Sequence, residues 1–325
     1  MKYKVIHIIN ESVEANWFQL SDRCGTVFSS QAWLELWRPD IELLGIEDCG
    51  SQELIGGFVL HTLKLKGITT ISNAPFTPHI ALFVKPIEGH ATAQHSKKKQ
   101  IVESICTFLE GRKEKIKSIS FPPDWEDLQP FAWSNYKLLT RYTYVLGLDQ
   151  DVETLWNNLN SKTRNVIGKA DRDGVEVTTM NSFEEPMSIL AATYARKKTA
   201  FREDDFKKML VSLQTDKNLS CLVAKYRGKI VATGLFLFNE RCAYYIAGGY
   251  DAVVGHSGAG AKVLWQGIQE AKNRKCPTFD FEGSMIPEVE KFFRGFGGSM
   301  LRYHHVTKAP FLIEMLLKFK RRGEF

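Results

Sequence analysis

Two stretches of the chain share one pattern of apolar and polar positions. Residues 53–72, ELIGGFVLHTLKLKGITTIS, and residues 228–249, GKIVATGLFLFNERCAYYIAGG, each run β-rich, break at a polar or basic turn, and run β-rich again. Each predicts a hairpin. Shifted by 176 positions, Leu54-Ile55-Gly56 falls on Ile230-Val231-Ala232. A helical stripe follows each hairpin: Ile101, Val102, Ile105, Cys106 and Leu109 in the first half, and Val263, Leu264, Gly267, Ile268 and Ala271, 162 residues on, in the second. That recurrence is the apolar face of an amphipathic helix. Short strands then close the two runs, IKSISF at 116–121 and PTFDFE at 277–282. A polar insertion, KPIEGHATAQHSKK at 85–98, accounts for the difference between the two offsets. The pattern predicts a duplicated strand–strand–helix–strand unit. The fold class is α/β in two similar domains with mixed sheets, residues 1–147 and 148–325, with the boundary near RYTYVLGLDQDVETLW at 141–156.

The second domain opens on a helical arc of Leu155, Leu159, Val166, Ile167 and Ala170, stopped by Gly174 before the strand VEVTTM. Lys162, Lys169 and Arg172 sit at the edge of that arc. On spacing alone they read as a solvated basic rim whose stems lie over the core. The last segment, APFLIEMLLKFKRRGEF at 309–325, reads as a short amphipathic helix with a basic tail. It is expected to pack Phe311, Leu312, Met315, Leu316 and Phe319 on its own domain, contact with anionic lipid being the alternative.

Charge sharpens this division. Residues 1–145 hold 16 Lys+Arg and 16 Asp+Glu, while residues 146–325 hold 27 and 21, so the whole excess of +6 lies in the second half. An anionic ligand is therefore expected there. A sequence pI near 8.9 falls short of the concentrated basic stripe that announces nucleic acid. The six cysteines show no C-x-x-C and no short pairing with histidine, which argues against zinc and for reduced core thiols. MKYKVIHIIN is too short in apolar residues for a signal peptide, and no run approaches the ~18 apolar residues of a spanning helix. The expected location is the cytoplasm, with no integral membrane segment.

The candidate chemistry gathers in DFEGSMIPEVEKFFRGFGG, residues 280–298. Asp280 and Glu282 lie two apart on a strand and share one side; they include a candidate general base or pair with nearby cations. Gly295, Gly297 and Gly298 allow a sharp turn and close backbone approach, which Phe292, Phe293 and Phe296 anchor. Arg294 either faces what the turn creates or pairs on the surface with Glu288 or Glu290. The histidines form no triad with a nucleophilic Ser or Cys, so covalent catalysis has no support.

Several of these pieces resemble the Fem peptidoglycan aminoacyltransferases, which are built from two GNAT-type acyltransferase domains. The similarity lies in Ser161-Lys162-x-Arg164-x-x-Ile167-x-Lys169-Ala170, in YYIAGG at 244–249, in AGAKVLWQGIQEAKNRKCPTFDFEGS at 259–284, and in the 280–298 stretch. It covers residues 150–305 and reaches the first half only through the duplication. The resemblance implies that Phe293 and Arg294 lie beside the reacting carbonyl, with Arg294 standing where the family has lysine. A fixed cation in a dry hollow would steady the oxyanion of an acyl transfer. Substrate contacts are implied for Tyr245, Lys162, Arg164 and Arg196, with Lys197, Lys198 and Arg202 competing for the last role. Strand alternation places one of Tyr244 and Tyr245 in the core without saying which. GNAT enzymes that use acyl-CoA hold its pyrophosphate on a glycine turn leading into a helix. GHSGAGAKVLW at 255–265 offers Gly258 and Gly260 there, but Gly255 stands where Gln or Arg is expected.

The function this implies is acyl or aminoacyl transfer onto an amine. One version takes an aminoacyl-tRNA donor and a cell-wall precursor, or another anionic small molecule, as acceptor. A second takes acyl-CoA and a sugar amine or peptide. In a third, the fold survives as a non-catalytic binding protein. No permanently bound cofactor and no metal are expected.

Overall fold

The computed structural model describes residues 1–65, 67–197, 202–213, 217–283 and 285–320, the side chains of 65 and 316–320 apart. The first half of the chain runs β1 (Tyr3–His7), α1 (Glu11–Cys24), α2 (Gln31–Glu35), β2 (Ile41–Asp48), β3 (Leu54–Leu65), β4 (Ile68–Ser72), β5 (Phe83–Val84), α3 (Ala91–Glu110), β6 (Ile116–Ser120), α4 (Gln129–Trp133) and β7 (Lys137–Gly147). It continues as α5 (Val152–Asn158), α6 (Ser161–Arg172), β8 (Glu176–Thr179), α7 (Glu184–Arg196), α8 (Glu203–Ser212), β9 (Leu219–Tyr226), β10 (Lys229–Phe238) and β11 (Ala243–Tyr250). The last elements are α9 (Ala259–Asn273), β12 (Thr278–Asp280), α10 (Pro287–Arg294), β13 (Ser299–Lys308) and α11 (Phe311–Lys320).

These elements form two compact units. One takes Met1–Arg141 and the chain from Arg302 onward; the other takes Tyr142–Leu301. The change therefore comes inside β7, six residues before the expected 147/148 boundary, because residues 145–147 pair with β12. The C-terminal strand folds with the first unit and not the second. Its residues His305–Lys308 pair with β6, a non-local contact that no local pattern announces.

Each unit repeats one mixed topology. The first has the order β1-β2-β3-β4-β6-β13, antiparallel throughout except β4 beside β6, with β5 on β3. The second has β8-β9-β10-β11-β12-β7, antiparallel except β11 beside β12. The one parallel pair in each needs a crossover, which α3 and α9 supply. Their predicted stripes are the buried faces: Ile101, Ile105 and Leu109 in α3, and Val263, Leu264 and Ile268 in α9. The two cores are centred on Phe58, Ile71 and Phe121 in one unit, and on Phe236, Phe279 and Phe281 in the other. Burying one such phenylalanine stabilises by about 2–3 kcal/mol.

Two local expectations are corrected. The arc 155–170 is two helices, not one. Asn160 stops the first: its side chain accepts from Lys162 N–H and its own N–H donates to Gly295 O at 2.9 Å, so α6 starts afresh. Within α11, Phe311, Leu312 and Met315 are exposed, at 73%, 75% and 45%, rather than packed; the expectation for Leu316 and Phe319 concerns side chains outside the described residues.

Candidate active site

The site begins where β11 and β12 part. They pair only at Ala243↔Phe279 and Tyr244↔Asp280. Beyond Asp280 the chain turns away through two left-handed residues, Glu282 (φ 62°) and Gly283 (φ 64°). A side chain at Gly283 would stand 2.2 Å from Tyr142 O, so only glycine fits that turn. Glutamate at positive φ is uncommon and marks a backbone held by its surroundings. β11 meanwhile runs on to Tyr250. Among the described residues, no strand covers the β12 side of its last six residues. On its other edge β11 pairs with β10 through a bulge: Leu235 faces Ala247 but Phe236 faces Tyr245, leaving Ile246 as the extra residue.

The bulge and register settle the two tyrosines. Tyr244 is buried on the side of Asp280, while Tyr245 lies on the opposite side among Phe236 at 5.2 Å and Phe293 at 5.8 Å, the latter ring edge-on. Burial raises both phenols above their ordinary range. The Tyr245 hydroxyl lies over Gly248, where an added methyl would stand 1.5 Å from it. YYIAGG thus supplies a ring and the gap that seats it.

On the Tyr244 side sit the two carboxyls. Asp280 accepts from Thr143 Oγ1 at 2.5 Å and from the Glu282 N–H at 2.8 Å. Glu282 Oε1 has no accessible surface and no hydrogen-bond partner. Among the described residues, no salt bridge reaches either acid. Burial pushes Asp280 up to about 6, against the pull of its two hydrogen bonds. Burial and then the Asp280 charge raise Glu282 well above the carboxylate range. The pattern D-x-E on a strand made these acids legible, but not that no cation accompanies them.

The other expected site residues are spread around this point. Phe293 is buried in the core of the second unit, its ring tilted against Phe281 at 5.5 Å. Arg294, next to it on α10, is 61% exposed; its Nε donates to Glu290 Oε1 at 2.9 Å, which also receives Tyr144 Oη at 2.6 Å. This is the surface pairing that the sequence also allowed. Arg196 ends α7 by stacking on Tyr250 at 4.3 Å and donating to its carbonyl, which brings it to the end of β11. Lys197 is desolvated, which lowers its proton affinity, with Glu288 opposing. Arg202 pairs with Asp205 on its own helix, and Lys198 lies outside the described residues.

Lys162 is exposed on the first turn of α6, whereas Arg164 is spent locally, donating to Asn157 O at 2.7 Å and to Leu159 O. Gly295 meets this turn closely, since an added methyl would stand 2.4 Å from Thr163 Oγ1. Gly258 precedes α9 and touches α6 as tightly, 2.1 Å from Val166 O to an added methyl, while Gly260 has open space beside it. His256 pins the same corner: Nδ1 accepts from Gly258 N–H at 3.1 Å, which leaves Nε2–H to donate to Asp173 at 2.9 Å. The structure thus brings together Tyr245, Phe293, Arg196 and the acids around β11. Lys162 and Arg164 lie on α6, which Gly258 touches, and Gly260 lies in the first turn of α9.

Comparison with known proteins agrees with this architecture. Residues 159–292, all in the second unit, match the family model described as an acetyltransferase (GNAT) domain. No curated protein sequence matches the chain. Among solved structures, FemX superposes with a TM-score of 0.65 at 13% identity, over 93% of this chain and 96% of its own. The C-terminal domain of a putative lysylphosphatidylglycerol synthetase from Agrobacterium fabrum gives 0.59 at 10% identity, over 97% and 100%. A tandem GNAT protein from the clavulanic acid biosynthesis pathway gives 0.54 at 11%, over 94% and 98%. At such identities the likeness establishes the fold, two GNAT-like units in tandem. The domain match and that fold support an acyltransferase. Among the described residues no helix is long and apolar enough to cross a membrane.

Proposed function

We propose that the protein transfers an acyl or aminoacyl group from an activated donor to an amine, and that transfer occurs in the second unit where β11 and β12 part. The observation that carries this reading is the edge of β11 beyond Tyr244, which no described strand covers and whose last residue, Tyr250, is already held by Thr193 and Arg196. Backbone groups there need partners, and an amide-bearing donor arm can add to the edge as a short strand does. That lays the acyl carbonyl against backbone N–H groups able to steady an oxyanion. Tyr245 and Phe293 form the apolar floor. The N-terminus of α9, with free space at Gly260 and with Gly258 seating it on α6, is the proposed phosphate end of the donor site. Arg196 and Lys162 are the proposed contacts to an anionic acceptor, and Arg164 joins them only by releasing Asn157 O and Leu159 O. Arg294 takes its proposed part at the carbonyl only by releasing Glu290.

The Fem-like version uses aminoacyl-tRNA and a cell-wall precursor in the cytoplasm, in keeping with the likeness to FemX. The acetyltransferase-domain match favours the second version, acyl-CoA with a sugar amine or peptide. The paired, exposed Arg294 favours the third, a binding protein without turnover.

The test incubates the full chain with acetyl-CoA or with alanyl-tRNA, each over a panel of amines that includes glucosamine and a lysine peptide. Amide formation from one donor class is expected. Arg294→Ala is expected to lower it about 100-fold, with stability changed by less than about 1 kcal/mol because the ion pair is exposed. Binding of donors with no amide from either class would end the transferase reading.

A further inference from the structure

Exposed large apolar side chains elsewhere in the first unit come one at a time along the chain, at Met1, Ile9, Ile68, Trp133 and Leu138 among the described residues. Scattered in this way they are ordinary on a protein surface. α11 departs from that pattern. Phe311, Leu312 and Met315 lie within five residues at 73%, 75% and 45% exposure, and their spacing puts them on one face of the helix. Between them Ile313 and Glu314 are half-buried, and Glu314 pairs with Lys137 at the start of β7. The helix thus turns its one acid toward the unit and this apolar face away from it.

We propose that α11 and the basic segment that follows it form a docking surface for an anionic lipid bilayer, the helix lying along the headgroup layer. Charge complementarity commits the surface to this occupant. From Lys318 the sequence runs KFKRRGEF, four cations against one acid. Nearer the start of the helix the cations are neutralised: Lys308 donates to Glu110 Oε2 at 2.6 Å, and Lys137 is taken by Glu314. The excess positive charge therefore follows the apolar face along the chain, the composition of a helix that lies in a membrane interface. Lys308 also donates to Ser134 O at 2.9 Å, which brings the start of α11 beside the end of α4. There Trp133 is 64% exposed, with Lys99 4.8 Å over its ring. An indole beside a cation suits the boundary between acyl chains and headgroups.

A protein partner or a second copy of this chain fits less well. Three apolar side chains on a single helical turn fall far below the roughly 800 Å² per side of a stable protein interface. A bilayer needs no matching surface and takes each apolar side chain separately. Each cation near an anionic leaflet adds about fivefold to partitioning. Binding of such a helix scales with its buried apolar area and with its attraction to anionic lipid, so loss of either half weakens it. Docking of this kind is independent of the donor and acceptor of the acyl transfer.

The test mixes the full chain with sucrose-loaded vesicles, either of phosphatidylglycerol and phosphatidylcholine in equal parts or of phosphatidylcholine alone, and measures the fraction that sediments. Partition into the anionic vesicles is expected, weakening as salt is added, with little into the neutral ones. This wild-type comparison needs no variant to fold. Phe311→Ser together with Leu312→Ser is expected to lower partition about tenfold or more. Lys318→Gln, Lys320→Gln, Arg321→Gln and Arg322→Gln together are expected to lower it about 100-fold. Circular dichroism checks that each variant keeps the wild-type fold, and sedimentation velocity without lipid reads self-association. No partition into anionic vesicles, equal partition into both kinds, or partition unchanged in either folded variant would overturn the proposal. So would a wild-type dimer that the Phe311→Ser, Leu312→Ser variant abolishes, since that makes the face an interface between copies.

Discussion

The two units solve the same structural position in opposite ways. In the first, β4 meets β6 at Ser72↔Ser118; in the second, β11 meets β12 at Tyr244↔Asp280. Ser118 and Ser120 thus stand where Asp280 and Glu282 stand. The strand beyond completes the contrast. His305, opposite Ser120, takes both serines at once, with Oγ of Ser118 at 2.9 Å from Nε2 and Oγ of Ser120 at 2.9 Å from Nδ1. Thr143 occupies the corresponding place in the second unit, reaches Asp280, and leaves Glu282 Oε1 without a donor. One position is a closed hydrogen-bond bridge, and the other is an open pair of acids. A satisfied buried network specifies structure, whereas an unsatisfied one waits for a partner.

The largest effect is expected from carrying the first solution into the second unit. The triple replacement Thr143→His, Asp280→Ser, Glu282→Ser should leave a folded protein by circular dichroism and lower amide formation about 10³-fold, within the range of a lost acid–base group. Retained transfer would remove the acids from the chemistry. Next comes Gly248→Ala, which displaces the Tyr245 hydroxyl from the 1.5 Å it would share with the new methyl. About a 100-fold loss of transfer is expected from so small a misplacement, read by steady-state kinetics beside a melting temperature lowered by the overpacking, which costs about 1–3 kcal/mol.

The two units should also respond to pH with opposite signs. Asp280 is raised to about 6 and Glu282 further, so as pH rises from about 4 the unfolded chain releases its protons first and the second unit loses stability. His305 is lowered to about 3 by burial and then by Arg141, so as pH falls below about 6.5 the unfolded chain takes a proton that the folded one refuses. The first unit then loses stability in acid. The Asp280 shift alone is worth about 3 kcal/mol and that of His305 about 5 kcal/mol, visible as hydrogen exchange of β10 and β3 core amides at different pH. Both units weakening in the same direction would break the comparison. The smallest expected effect is that of Ser118→Ala, which strips one partner from His305. It should cost about 1–3 kcal/mol of stability by denaturant titration and leave amide formation unchanged.

Much of this contrast was present in the sequence. The 162-residue offset that aligns the α3 stripe with the α9 stripe also carries Ser118 to Asp280 and Ser120 to Glu282. Those stripes are legible because a helix face repeats at 3.6 residues, and the hairpins because a turn separates two β-rich runs. The return of His305 to β6 was not legible, since strand pairing across 185 residues leaves no local mark. The sides taken by Tyr244 and Tyr245 depended on strand register and on a bulge at Ile246, which simple alternation does not encode. The surroundings of Arg294 were open for a related reason. An i,i+4 acid on the same helix competes with any ligand, and Glu290 was one of two glutamates within reach.

The most direct test of the central claim is a structure of the full chain with a non-transferable donor, desulfo-acetyl-CoA in one experiment and a 3′-aminoacylamino-adenosine in another. The account expects one of them along the open edge of β11, with backbone hydrogen bonds to residues within 246–249. A donor bound in the first unit, or in the second without touching β11, would contradict it.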